Sequence, residues 1–303
     1  MHRLLLRMWS DSAERRGVPP DGQFLKGPPI KALPPEKLGL NQGGYGGEGI
    51  DPGPFLDSLS RWAARHAWEE KQLALDAGSQ ASLAAFTKRR THAKASVFLS
   101  AGIHGDEPAS TLALIALMEE GGLREDFNYT IFPCLNPRGM LERRRETPEG
   151  KDLNRDYLHR STLEVQRQLE AIDSWHPFDM ALFLHEDWEA HGFYLYELMD
   201  AASTPVLGRS ILQAIRGHVP VESASWIDGR TACNGLIAAP FEETQRKDWP
   251  EAFFFKHRGT RHCLTLEAPS DFPLKDRVHW LKLATRAALV ALVDPAIGSG
   301  VNK

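Results

Sequence analysis

The chain of 303 residues is 42% hydrophobic and 25% charged, which is ordinary for a globular protein and sufficient for one large α/β domain or two smaller ones. Its formal net charge of −4 gives no reason to expect a nucleic acid or an acidic membrane surface as a partner. No stretch approaches the roughly 18–20 apolar residues that span a bilayer, and the apolar run near the N-terminus is shorter than that of a secretory signal. We therefore expect a cytoplasmic protein.

The first part of the chain, residues 1–54, is predicted to be an irregular arm. Pairs of prolines and the glycine-rich stretch Gly43–Gly47 interrupt any long helix or strand there. A single domain is predicted from residue 55 to residue 303. It opens with a helix over residues 55–67, where apolar side chains recur with helical spacing. Two short strands around a turn at Asp76–Gly78 follow, at Leu73–Leu75 and Leu83–Phe86.

From residue 97 onward, predicted strands alternate with predicted helices. The predicted strands are residues 97–103, 129–135, 180–185, 193–196 and 262–267. The predicted helices are residues 108–120, 161–174, 206–217 and 276–293. Such alternation indicates an α/β fold, a single three-layer domain in which a mixed, mostly parallel sheet carries helices on both faces.

The segment His104-Gly105-Asp106-Glu107 follows the first of these strands and precedes Pro108, which is typical of a helix start. Open α/β sheets bind their ligands at the carboxyl ends of the strands, so this segment is a candidate site. An imidazole and a carboxylate three residues apart around a tight glycine turn can both reach one metal ion, and zinc accepts such ligands. The alternative is a helix cap formed by Asp106 or Glu107 beside an unrelated histidine.

His185 ends the strand 180–185 in the same way as His104 ends its own. Two such histidines with Glu107 fit the two-histidine, one-glutamate set of a hydrolytic zinc site. The second ring nitrogen of such histidines needs an acceptor, and Asp106 and Asp187 are candidates for that role. Thiolate ligands are not expected, because the three cysteines are scattered along the chain: Cys134, Cys233 and Cys263.

Glu267 ends the last predicted strand and is expected to face the same crevice, where a carboxylate can take a proton from water. A helix cap or a salt bridge is the alternative role. Residues 136–156 contain five arginines and several asparagines, side chains that bind carboxylates through paired hydrogen bonds. This segment predicts an anionic group on the substrate, although some of its arginines are expected to be solvated surface residues.

Taken in order along the chain, residues 97–107, 136–156, 180–196 and 262–269 resemble the zinc carboxypeptidase family and the related N-acyl amino acid deacylases. The resemblance covers roughly residues 55–293. It implies a zinc carboxypeptidase-like catalytic domain with one Zn²⁺ per chain. The zinc ligands that it implies are His104, Glu107 and His185.

The resemblance also implies roles for residues around the metal. Glu267 corresponds to the general base, while Asn154 and Arg155 correspond to the pair that binds the terminal carboxylate of the substrate. The arginine that polarises the scissile carbonyl lies several residues before that pair, which favours Arg145 and leaves Arg144 as the alternative.

One feature of these carboxypeptidases is missing, the mobile tyrosine on the loop before the catalytic glutamate. No tyrosine lies between residues 197 and 267, so closure over the substrate is expected to differ. The segment from Trp249 to Arg261 is predicted to be a loop that offers aromatic and basic side chains instead. In it, Arg258 or Arg261 either binds a second carboxylate or is a surface charge.

The resemblance implies a zinc-dependent hydrolase that cleaves an amide bond next to a free carboxylate, in a small peptide or an N-acyl amino acid. A metallocarboxypeptidase or peptide amidase that removes a C-terminal residue is favoured. The deacylases, typified by succinylglutamate desuccinylase and aspartoacylase, usually add a β-rich domain after the catalytic glutamate, and here that region is predicted to be mainly one helix.

The missing tyrosine favours the deacylase alternative instead. A non-catalytic binding protein on the same fold is a third alternative, because fold alone does not determine function. A purely structural zinc site is disfavoured, since such sites are closed by four ligands and three good ones are evident.

Overall fold

The computed structural model describes residues 36–75, 82–172, 177–200, 203–242 and 246–293. The strands are β1 (Glu69–Ala74), β2 (Ser82–Lys88), β3 (Ala95–Ala101), β4 (Phe127–Phe132), β5 (Met180–Asp187), β6 (Tyr194–Met199), β7 (Trp226–Ile227), β8 (Arg230–Thr231), β9 (Leu236–Pro240) and β10 (His262–Pro269). The helices are α1 (Gly53–Arg65), α2 (Pro108–Glu119), α3 (Pro137–Glu142), α4 (Leu163–Ile172), α5 (Val206–Ile215), α6 (Glu251–His257) and α7 (Leu274–Ala291), with a 3₁₀ turn at Leu153–Arg155.

The main sheet has eight strands in the order β1-β2-β4-β3-β5-β10-β6-β9. Its centre is parallel: β4 pairs with β3, β3 with β5, and β5 with β10 in the same direction. The antiparallel pairs lie toward the edges, between β1, β2 and β4 on one side and between β10 and β6 on the other. The predicted fold class, a mixed and mostly parallel sheet, is confirmed.

The sheet separates two apolar clusters, because successive residues of a strand point to opposite faces. In β3, Val97 and Leu99 pack into one cluster and Phe98 into the other. Helices α1, α2, α5 and α7 cover the first face, while α4 and α6 cover the second. Helix α2 is buried from Pro108 to Met118 because it lies between the sheet and the neighbouring helices α1 and α7.

The predicted strands and helices from residue 55 onward are present, with shifted ends. Helix α1 begins at Gly53, inside the predicted arm. Strand β4 ends at Phe132, so Cys134 is a buried residue after the strand rather than within it. The segment after Trp249 was predicted to be a loop, and this is wrong, because it contains helix α6. Seven residues are too few for helical spacing to distinguish a buried helix from other apolar runs.

Residues 36–52, the described part of the arm, contain no helix or strand. The domain boundary after residue 54 stays a prediction, and the turn predicted at Asp76–Gly78 lies outside the described residues. Of the helices in the described ranges, none has both the length and the apolar character needed to cross a lipid bilayer.

Candidate active site

The candidate site lies at the carboxyl ends of three central parallel strands, β3, β5 and β10. The turn after β3 carries His104 and Glu107, while β5 and β10 carry His185 and Glu267 near their ends. The register of β5 and β10 pairs His185 with Glu267. Parallel pairing thus brings together residues that are far apart in sequence, at the edge of the sheet where α/β proteins bind ligands.

Two glycines shape the turn between β3 and α2. Gly102 has a φ of +62°, a left-handed conformation that favours glycine, and its N–H donates to the hydroxyl of Ser110 at 3.1 Å. A Cβ on Gly105 would lie 2.1 Å from the carbonyl carbon of Gly139. The Ser110 hydroxyl in turn donates to the Glu107 carbonyl at 2.7 Å. The sequence therefore forces a turn that packs tightly on α3 and presents Glu107 at the start of α2.

His104, Glu107 and His185 converge, and one possible ligand atom of each lies within 4.8 Å of the other two. The carboxylate oxygens of Glu107 lie 2.5 Å from Nδ1 of His104 and 3.0 Å from Nδ1 of His185. All three side chains are buried. Electron-rich atoms packed this closely repel one another unless protons or a cation lie between them. Two imidazoles and a carboxylate are the donor set of hydrolytic zinc sites, so the residues fit a divalent metal ion.

Asp152 lies beside the other nitrogen of the His104 ring, with Oδ1 at 3.4 Å from Nε2. The guanidinium of Arg145 donates through Nε to Asp152 at 3.1 Å and through Nη1 toward Nδ1 of His104 at 3.2 Å. If Nδ1 binds a metal ion through its lone pair, the ring proton lies on Nε2, which faces Asp152. A metal-binding imidazole with a carboxylate acceptor has this arrangement.

The sequence suggested Asp106 and Asp187 as acceptors, but Asp152 contacts the His104 ring instead. The carboxylate of Asp187 accepts hydrogen bonds from the Tyr194 hydroxyl at 2.9 Å and from the Glu189 N–H at 2.8 Å. One feature of the sequence could have pointed to Asp152: it lies two residues before Asn154, which was already a candidate site residue. Only the fold shows that it reaches His104.

The environment sets different pKa values for the three candidate ligands. Burial lowers the pKa of His104, but the carboxylates of Glu107 and Asp152 outweigh it, so that the pKa is raised. For His185, burial outweighs Glu107 and the pKa is lowered. Burial favours the neutral form of Glu107, yet the two imidazoles hold its pKa well below the usual range. An ionised Glu107 and a neutral His185 are the protonation states that a metal ion requires.

Glu267 lines the same cavity. Desolvation in the cavity, followed by the charges of Glu107 and Asp187, raises the pKa of Glu267 well above its usual range. A cation bound near Glu107 would oppose that repulsion and restore the ionised form. The position and the environment of Glu267 therefore suit a group that accepts a proton and later gives it back.

The cavity around these residues has a volume of about 430 Å³, and Arg145, Asn154 and Arg155 also line it. Asn154 belongs to the 3₁₀ turn, and its backbone N–H is capped by the Asp152 carboxylate at 2.9 Å. Arg155 is exposed at the mouth of the cavity, where its Nη1 donates to the Asn154 carbonyl at 2.8 Å. Guanidinium and amide donors are thereby placed on the wall of the cavity, where they can bind a carboxylate.

Arg144, the alternative to Arg145, does not line the cavity; its guanidinium lies 3.6 Å from Glu142. The two neighbours differ because the carbonyl of Arg145 accepts a hydrogen bond from the Gly105 N–H at 3.3 Å. That bond docks Arg145 against the His104 turn and leaves the Arg144 side chain outside.

Comparison with known proteins shows which family model and which solved structures this chain is similar to. Residues 93–224 match the family model of the succinylglutamate desuccinylase/aspartoacylase catalytic domain, a stretch that includes all three candidate metal ligands. A candidate metallopeptidase from Shewanella amazonensis SB2B superposes with a TM-score of 0.69 at 21% identity, over 81% of this chain and 94% of that one. Among curated proteins, none matches this chain.

Two solved metallo-carboxypeptidases are also similar. The protein from Burkholderia cenocepacia has a TM-score of 0.57 and 19% identity, over 80% of this chain and 68% of that one. The protein from Pseudomonas aeruginosa, in complex with (2-guanidinoethylmercapto)succinic acid, has a TM-score of 0.57 and 18% identity, over 79% and 69%. The chain has the zinc carboxypeptidase-like fold. The resemblance inferred from the sequence, including its relation to the deacylases, is confirmed.

The candidate site carries two tyrosines on β6 that the sequence analysis did not place in it. Tyr194 and Tyr196 line the cavity from the same face of the strand, with ring centroids 5.7 Å apart. The Tyr194 hydroxyl donates to Asp187 at 2.9 Å and the Tyr196 hydroxyl to Asp228 at 2.5 Å. The sequence shows that Tyr194 and Tyr196 are two residues apart in a strand and therefore share a face. It does not show that β6 pairs with β10, and this pairing brings the two tyrosines close to Glu267.

For Arg258 and Arg261 the sequence left open two roles, binding of a second carboxylate or surface charge, and neither residue lines the cavity. Arg230 and Arg246 line the cavity, whereas Arg258 and Arg261 do not. Strand β10 starts next to Arg261 and runs toward Glu267, so that six strand residues separate them by roughly 20 Å. A second carboxylate in the cavity would therefore meet other arginines than those suggested by the sequence.

The described part of the arm forms a wall of the cavity through Gly44 and Tyr45. It is held by backbone N–H groups of Gly39 and Leu40, which donate to the Asp271 carboxylate at 3.1 and 2.9 Å. The arm is therefore part of the candidate site.

Arg277 of α7 is fully buried and joins this arm to the metal-ligand cluster. Its guanidinium contacts the carboxylates of Glu186 and Glu48, and Nη2 donates to the Tyr45 hydroxyl at 3.1 Å. Glu186 follows His185 in β5, and its backbone N–H donates to the Glu107 carboxylate at 3.1 Å. A single buried cation thus connects the arm, α7 and the strand that carries a candidate metal ligand.

Proposed function

We propose that the protein is a zinc-dependent hydrolase that cleaves an amide bond next to a free carboxylate, and that it removes the C-terminal residue of a small peptide. The observation that carries this proposal is the composition of one cavity. A buried set of two histidines and a glutamate, a carboxylate with a raised pKa, and a group of arginine and asparagine donors all line it. These are the parts that hydrolysis of such an amide requires.

His104, Glu107 and His185 would hold one Zn²⁺, which supplies Lewis-acid polarisation of the substrate carbonyl and acidifies a water molecule. Glu267 would accept the proton of the attacking water and deliver it to the leaving nitrogen. The register of β10 and β5, in which Glu267 pairs with the proposed ligand His185, supports this role.

The remaining donors would hold the substrate. The guanidinium of Arg145, beside His104, would donate to the carbonyl oxygen as negative charge develops there. Asn154 and Arg155 would bind the terminal carboxylate and so fix which amide bond meets the water. The cavity of about 430 Å³ fits a small substrate.

A second candidate function, deacylation of an N-acyl amino acid, is favoured by the match of residues 93–224 to the desuccinylase/aspartoacylase catalytic domain. Both functions use the same residues and a substrate with a carboxylate beside the scissile amide. They differ in the group on the acyl side of that bond, a peptide in one case and a simple acyl chain in the other.

The test is amine release by the zinc-loaded protein from N-blocked dipeptides, γ-linked wall peptides and N-acyl amino acids, with and without a chelator. Chelator-sensitive release from the peptides supports the carboxypeptidase, and release from N-acyl amino acids alone supports the deacylase. No release from any substrate, by a protein that binds zinc stoichiometrically, contradicts both and favours a binding protein.

The matched variant is Glu267→Gln, which has nearly the same shape and cannot act as a base. We expect it to retain zinc and to lose turnover by at least about 100-fold, as general acid–base groups typically contribute. Near-normal turnover in this variant would remove Glu267 from the proposed role.

A further inference from the structure

The carboxylate of Glu251, the first residue of α6, is buried beneath the cavity, with 1% of the residue exposed. Ser100 of β3 donates its hydroxyl to Oε2 at 2.7 Å, and Gln168 of α4 donates its amide to Oε1 at 2.6 Å. Gln168 accepts the Tyr157 hydroxyl proton at 2.5 Å. All four side chains are buried, and they join three elements of the fold. Burial raises the pKa of Glu251 to about 7, although the hydrogen bonds from Ser100 and Gln168 oppose it.

This buried network fixes the start of a very short helix. Seven residues form too few hydrogen bonds to hold a helix in place without tertiary contacts. The segment just before α6 is also docked on the 3₁₀ turn, because the Tyr157 N–H donates to the Trp249 carbonyl at 3.3 Å. The first turn of α6 therefore has a defined position relative to the cavity wall.

The backbone N–H of Glu251 donates to Oδ1 of Asn154 at 2.9 Å. The oxygen of the Asn154 amide is thereby committed to α6, and the opposite end of the amide, Nδ2, is the donor left for the cavity. A substrate carboxylate accepts hydrogen bonds and gains nothing from an amide oxygen. The contact with α6 thus selects the useful one of the two amide orientations.

We propose that Glu251 is a positioning residue for substrate binding. Through its hydrogen bonds to Ser100 and Gln168 it fixes the first turn of α6, and that turn orients the Asn154 amide as a donor for the carboxylate of the substrate. Glu251 itself does not line the cavity and acts through Asn154. This inference rests on the proposed function, in which Asn154 binds that carboxylate.

The test compares Glu251→Leu, which removes both side-chain hydrogen bonds, with Glu251→Gln, which keeps a donor and an acceptor in the same shape. The matched control is Glu197→Leu. Glu197 is also a buried glutamate that does not line the cavity. Its carboxylate accepts a hydrogen bond from the Gly208 N–H at 2.8 Å and makes no hydrogen bond with Asn154 or α6 among the described residues. KM and kcat are measured on a peptide with a free C-terminal carboxylate and on the same peptide with a C-terminal amide.

We expect Glu251→Leu to raise KM for the free acid about tenfold, the loss of roughly one hydrogen bond to a charged group, with kcat changed less than threefold. Rates on the amide peptide should stay as in the wild type. Glu251→Gln should stay within about threefold of the wild-type KM, and Glu197→Leu should not change KM. A KM for Glu251→Leu equal to that of the wild type, or an equal effect on both peptides, would overturn the inference.

Tyr157→Phe keeps the test decisive if Glu251→Leu does not fold, since it removes only one hydroxyl, which orients Gln168 and also interacts with Glu251. A KM increase of about two- to fivefold for the free acid is expected, and no increase overturns the inference. If the wild type hydrolyses nothing, the proposed function fails. The inference is then tested by measuring the binding of an N-acetyl amino acid by calorimetry. It is overturned if Glu251→Leu binds this ligand as tightly as the wild type does, or if the wild type does not bind it.

Discussion

Replacing Arg277 with methionine tests whether one buried ion pair holds the arm against β5, the strand that carries the candidate metal ligand His185. The side chains of Arg277 and Glu186 are both 0% exposed, and methionine fills much of the same space without a charge. Removal of one partner from a buried pair costs about 3–5 kcal/mol, because the other charge is left without compensation. The contact with Glu48, whose side chain is 30% exposed, adds less than about 1 kcal/mol.

The loss should depend on pH. Burial raises the pKa of Glu186 to about 7 even though Arg277 opposes the shift, so without Arg277 the pKa rises further. A pKa raised in the folded state means that the stability contributed by this group is present at low pH and is lost as the pH rises through the folded-state pKa. Arg277→Met should therefore be destabilised more at about pH 8.5 than at about pH 5.5, where Glu186 is protonated.

The assay is urea unfolding at both pH values, with the double variant Arg277→Met/Glu186→Gln as the control. Because the glutamine carries no charge, the double variant should recover at least about 2 kcal/mol relative to the single one. A loss below about 1 kcal/mol, a loss independent of pH, or a double variant as unstable as the sum of the single ones would refute the reasoning.

Three further predictions concern the site. Arg145→Gln should lower kcat by about 100-fold while Arg144→Gln leaves it nearly unchanged, because only Arg145 faces the metal ligands; steady-state kinetics measure both. Asp152→Asn should weaken zinc binding by about 10- to 100-fold, measured by competition with a chelating dye, since it replaces the charged carboxylate beside the His104 ring with a neutral amide. Gly105→Ala should reduce zinc occupancy and stability, measured by metal analysis and thermal unfolding, because its Cβ would clash with the backbone of α3.

Each of these has its own contrary result. An equal decrease of kcat in Arg145→Gln and Arg144→Gln would mean that the positive charge of the segment matters and that the position of the Arg145 guanidinium does not. Unchanged zinc affinity in Asp152→Asn would show that His104 needs no charged acceptor there. For Gly105→Ala the control is Gly53→Ala at the start of α1, where the nearest atom to the added Cβ is a side-chain oxygen at 3.2 Å. Equal stability of the two alanine variants would contradict the clash.

The sequence alone determined seven of the eight strands of the main sheet and the residues that end the central strands, whereas β9 and the short helices α3 and α6 were not predicted. Buried parallel strands are continuous apolar runs, so their last residues are visible where polar side chains appear, as at His104, His185 and Glu267. The sheet then brings those three ends together, because parallel strands have their carboxyl ends on one side. Local pattern was sufficient for this part of the site.

The tertiary structure decided the residues that act from elsewhere. Asp152 and Glu251 are polar residues in irregular or very short segments, where no periodicity marks a role. Tyr45 reaches the cavity on an arm that Asp271 and, from α7, Arg277 hold in place. Such contacts join residues that are far apart in the sequence. Which residues meet depends on burial and on the strand order, and no local sequence pattern indicates it. For that reason the sequence predicts the strand-end cluster, whereas the side chains that orient and tune it are determined by packing.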